Sequence, residues 1–380
     1  MAETQVCSVC SQPLPGKEPE PEFDFAKPIG KLSADVRQAA KSLARIDAGW
    51  IVDQYYNFQE DRKRAGLRHN KLVQTGEPQQ LVKWTYEVSR NFENAMKHSL
   101  GEFASTYRVG RWLRAQYGID KVLSSYLLIK LDIRKAKHAS SFIRFAGLDP
   151  TLKWPGKVKG KQLVDEVIDK VEPCGQLTPA KAEEFFKRTG QHSVTVMRVW
   201  DHYVLGTKVS SGKEALIKWF SRQPWNAKLK SKLLFGLGEV MVKFQKRPKC
   251  FYGNLLQQKK ATLTAQNDLF QFREEANQKM EDKAASPTTE TWKHWEAGRL
   301  SPGHIHNRAR RWMCSLLISH LHEVMYTDYH GVKPDAPYIF DHPIGGEGTP
   351  NEHRHYMPPP LWNLEQQASY GGLNLKEMKD

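Results

Sequence analysis

The spacing of apolar residues restricts this chain most: they return every three or four positions through nearly its whole length, with no useful run of two-residue alternation. Such a return lays them on one stripe of a helix, whereas a strand needs a period of two. Ser33 can accept the first free amides of a helix, and Val36, Ala40, Leu43, Ile46 and Trp50 follow at helical spacing, which predicts a long amphipathic helix to about Arg64. The turn residues Gln74-Thr-Gly-Glu-Pro78 break the pattern. Leu81, Trp84, Val88, Phe92, Ala95, Phe103 and Tyr107 then repeat it, so a second long helix should fold back antiparallel on the first as a coiled coil. The expected fold class is all-α.

Tyr117-Gly-Ile-Asp opens a short apolar helix, and another from about Ala139 to Ala146 stops at Gly147, where a left-handed cap is easiest. The arrangement resembles a helix-hairpin-helix unit. Free amides at such a turn point outward with a favourable dipole, so Gly118, Lys121 and Lys130 are candidate phosphate-binding residues. The chain from Pro155 to about Pro287 is lysine-rich, with helices predicted around 161–171, 179–188, 213–220 and 227–244. A final long helix runs from about Gly303 to Tyr326, with His320 and His322 read as one packed and one solvated side chain. The expected organisation is a flexible arm over 1–30, coiled-coil helices over 31–116, a helix-hairpin-helix region over 117–155, a basic helical insertion over 156–290, a closing helical segment over 291–335 and an irregular surface tail over 336–380.

Charge indicates the partner. The formal net charge is +15, and the excess collects in segments rather than spreading evenly, as in polyanion binders. Lys213, Lys218, Arg222, Lys228, Lys230, Lys232, Lys243, Lys246, Arg247 and Lys249 form the densest run, and Arg308, Arg310 and Arg311 open the last helix. Trp219, Phe220, Trp225, Phe235, Phe244, Phe251 and Tyr252 interleave with the first group, and aromatic faces beside cations suit unstacked RNA bases. Ordinary core packing is the alternative for any one of these rings, and a solvated face for the cations. No stretch approaches the roughly 20 apolar residues needed to span a bilayer, and nothing at the start reads as a secretion signal, so the expected location is the cytoplasm of a bacterium or a phage-infected cell. Five scattered cysteines suit reduced thiols. Only Cys7 and Cys10 have metal-ligand spacing, a candidate half of a structural zinc site without a second pair in sequence.

Catalytic patterns are incomplete. His304, His306 and Asn307 stand at a helix start without the strands that deliver carboxylates to a two-metal nuclease. Gly206-Thr-Lys-Val-Ser-Ser-Gly212-Lys213-Glu214 approaches a phosphate-binding loop, but has one residue too many and Glu214 where magnesium needs Ser or Thr. No nucleophile elbow or papain-like cysteine context is present.

Phe142-Ile-Arg-Phe-Ala-Gly-Leu-Asp-Pro150 resembles the C-terminal domain of bridge-RNA-guided insertion-sequence transposases, where a segment ending Ala-Gly-Leu-x-Pro follows a coiled coil and a helix-hairpin-helix. Gly298-Arg-Leu-Ser-Pro-Gly-His-Ile-His-Asn-Arg-Ala-Arg-Arg311 is similar to the second half of that domain. The family's catalytic Ser-Gly is replaced by Thr151-Leu-Lys-Trp154-Pro-Gly156, and its N-terminal RuvC-like domain has no counterpart ahead of the first long helix. What remains resembles the Nop-domain-like Tas proteins of TIGR (tandem interspaced guide RNA) systems, of the nuclease-less TasA type. The 224–243 helix, Phe251-Tyr-Gly-Asn-Leu-Leu256 and Met357-Pro-Pro-Pro-Leu-Trp362 are similar to features of that group. The resemblance implies a Nop-like domain in two halves, a guide RNA, a DNA target, a homodimer and no catalysis. Two other expectations stay open: a transposase, active or decayed, using a serine such as Ser301, and a structural RNA-binding scaffold.

Overall fold

A computed structural model of the chain describes residues 39–168, 177–206, 212–335, 357–362 and 369–380. Over these residues the protein is helical and without strands, which agrees with the all-α expectation. Helix α1 (Arg45–Thr75) ends at Gly76, whose φ of 71° lets its amide turn back to Leu72 and Val73. Helix α2 (Gln80–Thr106) returns antiparallel: Phe58 stacks on Phe92 with centroids 4.8 Å apart, and Arg62 pairs with Glu93. The helix expected from Ser33, a residue outside the described ones, is interrupted: residues 39–41 are helical and 43–44 are not, so α1 starts afresh at Arg45, and its core-facing stripe is not the large-residue one. Ile46 and Trp50 are 75% and 61% exposed, while Ala48, Val52 and Tyr55 are buried and Gly49 lies against Ile129. Small residues permit that close approach, so the seam has little hydrophobic signature in the sequence.

Helices α3 (Arg108–Ala115), α4 (Lys121–Lys130) and α5 (Ala139–Phe145) follow. Residues 122–129 of α4 are all buried, which explains a continuous apolar run where an amphipathic pattern would leave one side polar. The chain then leaves the main body for a four-helix unit, α6 (Gly156–Val167), α7 (Pro179–Thr189), α8 (Ser193–Gly206) and α9 (Gly212–Phe220). This unit has its own core of Val164, Phe185, Val196, Leu216 and Phe220.

From residue 227 the chain rejoins the main core. Helix α10 (Ala227–Ser231), a π-helical stretch (Lys232–Leu237) and α11 (Gly238–Phe244) run as one rod, burying Leu229, Leu233, Leu237 and Met241. A strict four-residue repeat drifts around an α-helix of 3.6 residues per turn; the wider π turns rotate the other way and keep the seam facing inward. Thus the expected 156–290 insertion divides among the described residues: those of 156–220 form the satellite, and 227–276 contributes to the main core. Helices α12 (Phe251–Asp268), α13 (Arg273–Glu281) and α14 (Glu290–Glu296) complete this half.

Helix α15 (Pro302–His330) is the axis, buried on several sides. Both His320 and His322 are buried, which corrects the expectation of one solvated histidine: residues two apart point to different faces, but both faces are covered. The last described segments also differ from the expected surface tail. Trp362 and Leu375 enter the main core, Trp112 Nε1 donates to the Pro360 carbonyl at 2.8 Å, and the Leu375 amide donates to buried Asp328 at 2.7 Å. No helix of the described residues is long and apolar enough to cross a membrane.

Candidate nucleic-acid interface

The cations expected to meet RNA fall into three environments. Lys243, Lys246, Arg247 and Lys249 surround the end of α11, exposed and without an ion-pair partner among the described residues. Lys218, Arg222 and Lys228 are likewise exposed and unpaired. Like charges clustered without compensating carboxylates repel one another, so the fold holds them there against an electrostatic cost that a polyanion would remove.

A second group is half committed to the fold. Lys230 lies over the Trp225 ring at 4.0 Å and Lys232 over Tyr56 at 3.4 Å. Burial, with Arg311 near Lys230 and Lys63 near Lys232, holds both ammonium groups below the ordinary lysine range. Arg311 has its Nε buried without a hydrogen-bond partner. Lys230 and Arg311 are therefore neighbouring, partly buried cations.

The third group, also expected to meet RNA, makes ion pairs within the fold. Lys213 reaches Asp165 at 2.7 Å within the satellite. Arg308 pairs with Glu275 and lies over Phe272 at 4.6 Å. Arg310, with a side chain only 8% exposed, pairs with Glu239, donates to Asn307 Oδ1 at 2.6 Å and lies over Phe235. These pairs join α15 to α11 and α13, a role set by contacts across 33 and 71 residues of sequence.

The Gly118 turn does not present a vacant phosphate cradle. Asp120 caps α4, accepting from the amides of Val122 and Leu123 at 3.2 and 2.9 Å, so a carboxylate already takes the helix N-terminus. Gly118, with φ of 89°, is pressed against Val240 and Phe244; a Cβ there would fall 2.9 Å from Val240 Cγ1. Its glycine serves close packing. Lys121 contacts His98 Nδ1 at 3.1 Å at the start of α4, whereas Lys130 lies at the other end, about 14 Å along the axis at 1.5 Å per residue. The two lysines cannot share one phosphate.

Other candidates have structural roles. Ser301 Oγ accepts from the His304 amide as the cap of α15. His304 faces Glu275 at 3.3 Å, and burial lowers its pKa. Gly212 lies against the Trp200 ring, a Cβ there meeting it at 2.4 Å, so that glycine accommodates an indole. His320 is a neutral fastener: Tyr252 donates to Nδ1 at 3.0 Å, Nε2 donates to the Met357 carbonyl at 2.9 Å, and burial pushes its pKa down to about 4. His322 Nε2 donates to the Ala136 carbonyl at 2.9 Å. Cys250 and Cys314 are free buried thiols; Cys7 and Cys10 lie outside the described residues. Among the described residues, no three His, Cys, Asp or Glu gather as a metal-ligand group.

A cavity of about 530 Å³ opens where the satellite meets the main body. Trp219, Arg222 and Trp225 line it, together with Phe145 and Gln191, which sequence reasoning missed because they lie far away along the chain. No family model, curated protein or solved structure matches this chain.

Proposed function

We propose that this protein binds a guide RNA and forms an RNA-guided DNA-targeting complex, without a nuclease or transposase centre of its own. The observation that carries the reading is the cluster Lys243, Lys246, Arg247 and Lys249, exposed and uncompensated at one end of a rigid rod, with Lys218, Arg222 and Lys228 unpaired elsewhere. Cations without carboxylate partners bind phosphates by releasing counterions and carry no sequence information. Sequence choice would then belong to the bound RNA, which pairs with its target while the protein holds backbone and shape. In this reading α1 and α2 form the coiled-coil arm of a homodimer, α4 and α5 with the Gly118 turn act as a helix-hairpin-helix in the first Nop-like half, and α15 belongs to the second half.

Mobility-shift assays with the purified protein, its co-purified RNA and duplex DNA matching that RNA test the proposal. A shift of matching but not scrambled duplex is expected, with the duplex left uncut in magnesium. Cleavage or strand transfer would overturn the non-catalytic assignment, and equal behaviour of both duplexes would overturn DNA targeting.

A further inference from the structure

The junction cavity combines aromatic rings with polar side chains. Three rings, Phe145, Trp219 and Trp225, contribute to its wall. The polar remainder comprises the amides of Gln191, Gln223 and Asn226 and the guanidinium of Arg222, with no carboxylate. Asn226 caps α10 with its Oδ1, which accepts from the Leu229 amide at 3.0 Å; its NH2 remains available as a donor. The walls come from both units, which Arg144 ties by donating to the Gly190 carbonyl at 2.7 Å, while the Asn226 amide donates to the Phe145 carbonyl at 2.8 Å within the main body. Glycine at 147, with φ of 65°, lets Trp225 seat closely: a Cβ there would fall 2.7 Å from the indole and 2.9 Å from Lys230. Lys230 lies over this ring at 4.0 Å, with the charge of Arg311 near its ammonium.

Flat rings, primary amides that donate and accept, and adjoining unpaired cations match a planar heterocycle bearing an anionic group. A volume of 530 Å³ lies within the range for a ligand of nucleotide size. We infer that this cavity receives one unstacked nucleobase of the bound RNA, held between aromatic faces and read by Gln191, Gln223 and the Asn226 NH2, while Lys230 and Arg311 take the adjoining phosphate. The inference rests on the RNA-binding reading and deepens it: the satellite and main body together grip a base, so one position of the strand is fixed by the protein. Stacking tolerates any base, whereas amides on the base edge distinguish one from another.

The test uses the full chain and two single strands of equal length and charge, a 20-nucleotide RNA and a fully abasic analogue, with Gln223→Trp filling the cavity from an exposed position and Arg222→Ala as a second variant. Binding of the base-bearing strand should fall tenfold or more for Gln223→Trp, in line with the loss of about one stacked base. Gln223→Trp should leave abasic binding unchanged, Arg222→Ala should weaken the base-bearing strand more than the abasic one, and 4-thiouridine in the RNA should photocrosslink within residues 219–226. Equal loss on both strands, or crosslinks confined elsewhere with unaltered RNA affinity, overturns the base pocket and leaves RNA binding intact. Failure of the unmodified protein to bind either strand overturns both. Unchanged circular dichroism and melting temperature confirm that the variants fold.

Discussion

Replacing Lys243, Lys246, Arg247 and Lys249 together by glutamine removes four charges that meet no carboxylate in the fold, so the cost should appear in binding rather than stability. If each meets one phosphate of a single strand, the slope of log K against log salt becomes shallower by about 2.8, at roughly 0.7 per contact. Extrapolated to 1 M salt the two proteins should bind alike, and at 0.15 M they should differ about 200-fold, or about 3 kcal/mol. Fluorescence anisotropy with a labelled 30-nucleotide RNA between 0.05 and 0.5 M salt reads this directly, and a urea midpoint for each protein checks the fold. An unchanged slope would refute the reasoning, because it would mean that these cations face solvent and nothing else.

Other perturbations separate binding from architecture. Lys228→Glu should weaken RNA binding with no loss of stability, whereas Lys230→Glu with Lys232→Glu should also destabilise the fold by about 1–2 kcal/mol, since it removes two ring contacts and turns anions toward the rings; urea unfolding of both variants decides. Leu233→Ala, in the fully buried seam of the rod, should cost about 3 kcal/mol in the same assay. His320 is held neutral to about pH 4 in the fold, while unfolded it takes up its proton near pH 6.5, so its share of stability is lost as pH falls through that interval, at most about 3 kcal/mol. The stability advantage of the unaltered protein over His320→Gln should therefore shrink between pH 7 and pH 4, and a constant difference in urea midpoint would refute the assignment.

Much of the helical organisation was legible. The break at 74–78, the long rod at 227–244 and the final helix from about Gly303 follow from spacing and turn chemistry, both local properties. Pairing was not legible. Arg310 looks as cationic in sequence as Lys246, yet Glu239, Asn307 and Phe235 use it, and only the fold brings Glu239 to it. The same difficulty hid the α1 seam, where Gly49 and Ala48 pack closely while Ile46 and Trp50 face outward. It also hid the junction cavity, which needs Phe145 and Gln191 to meet Trp225. At the Gly118 turn the sequence suggested a phosphate cradle, but Asp120 supplies the anion two residues later.

The most direct measurement is of the nucleic acid that the intact protein carries. After purification without nuclease and a wash at 0.15 M salt, the absorbance ratio of 260 to 280 nm and sequencing of the extracted material should reveal one defined population of RNA, bound in a fixed proportion to protein. A protein that emerges free of RNA, and takes up none when a pool of transcripts is offered at that salt concentration, would contradict the account.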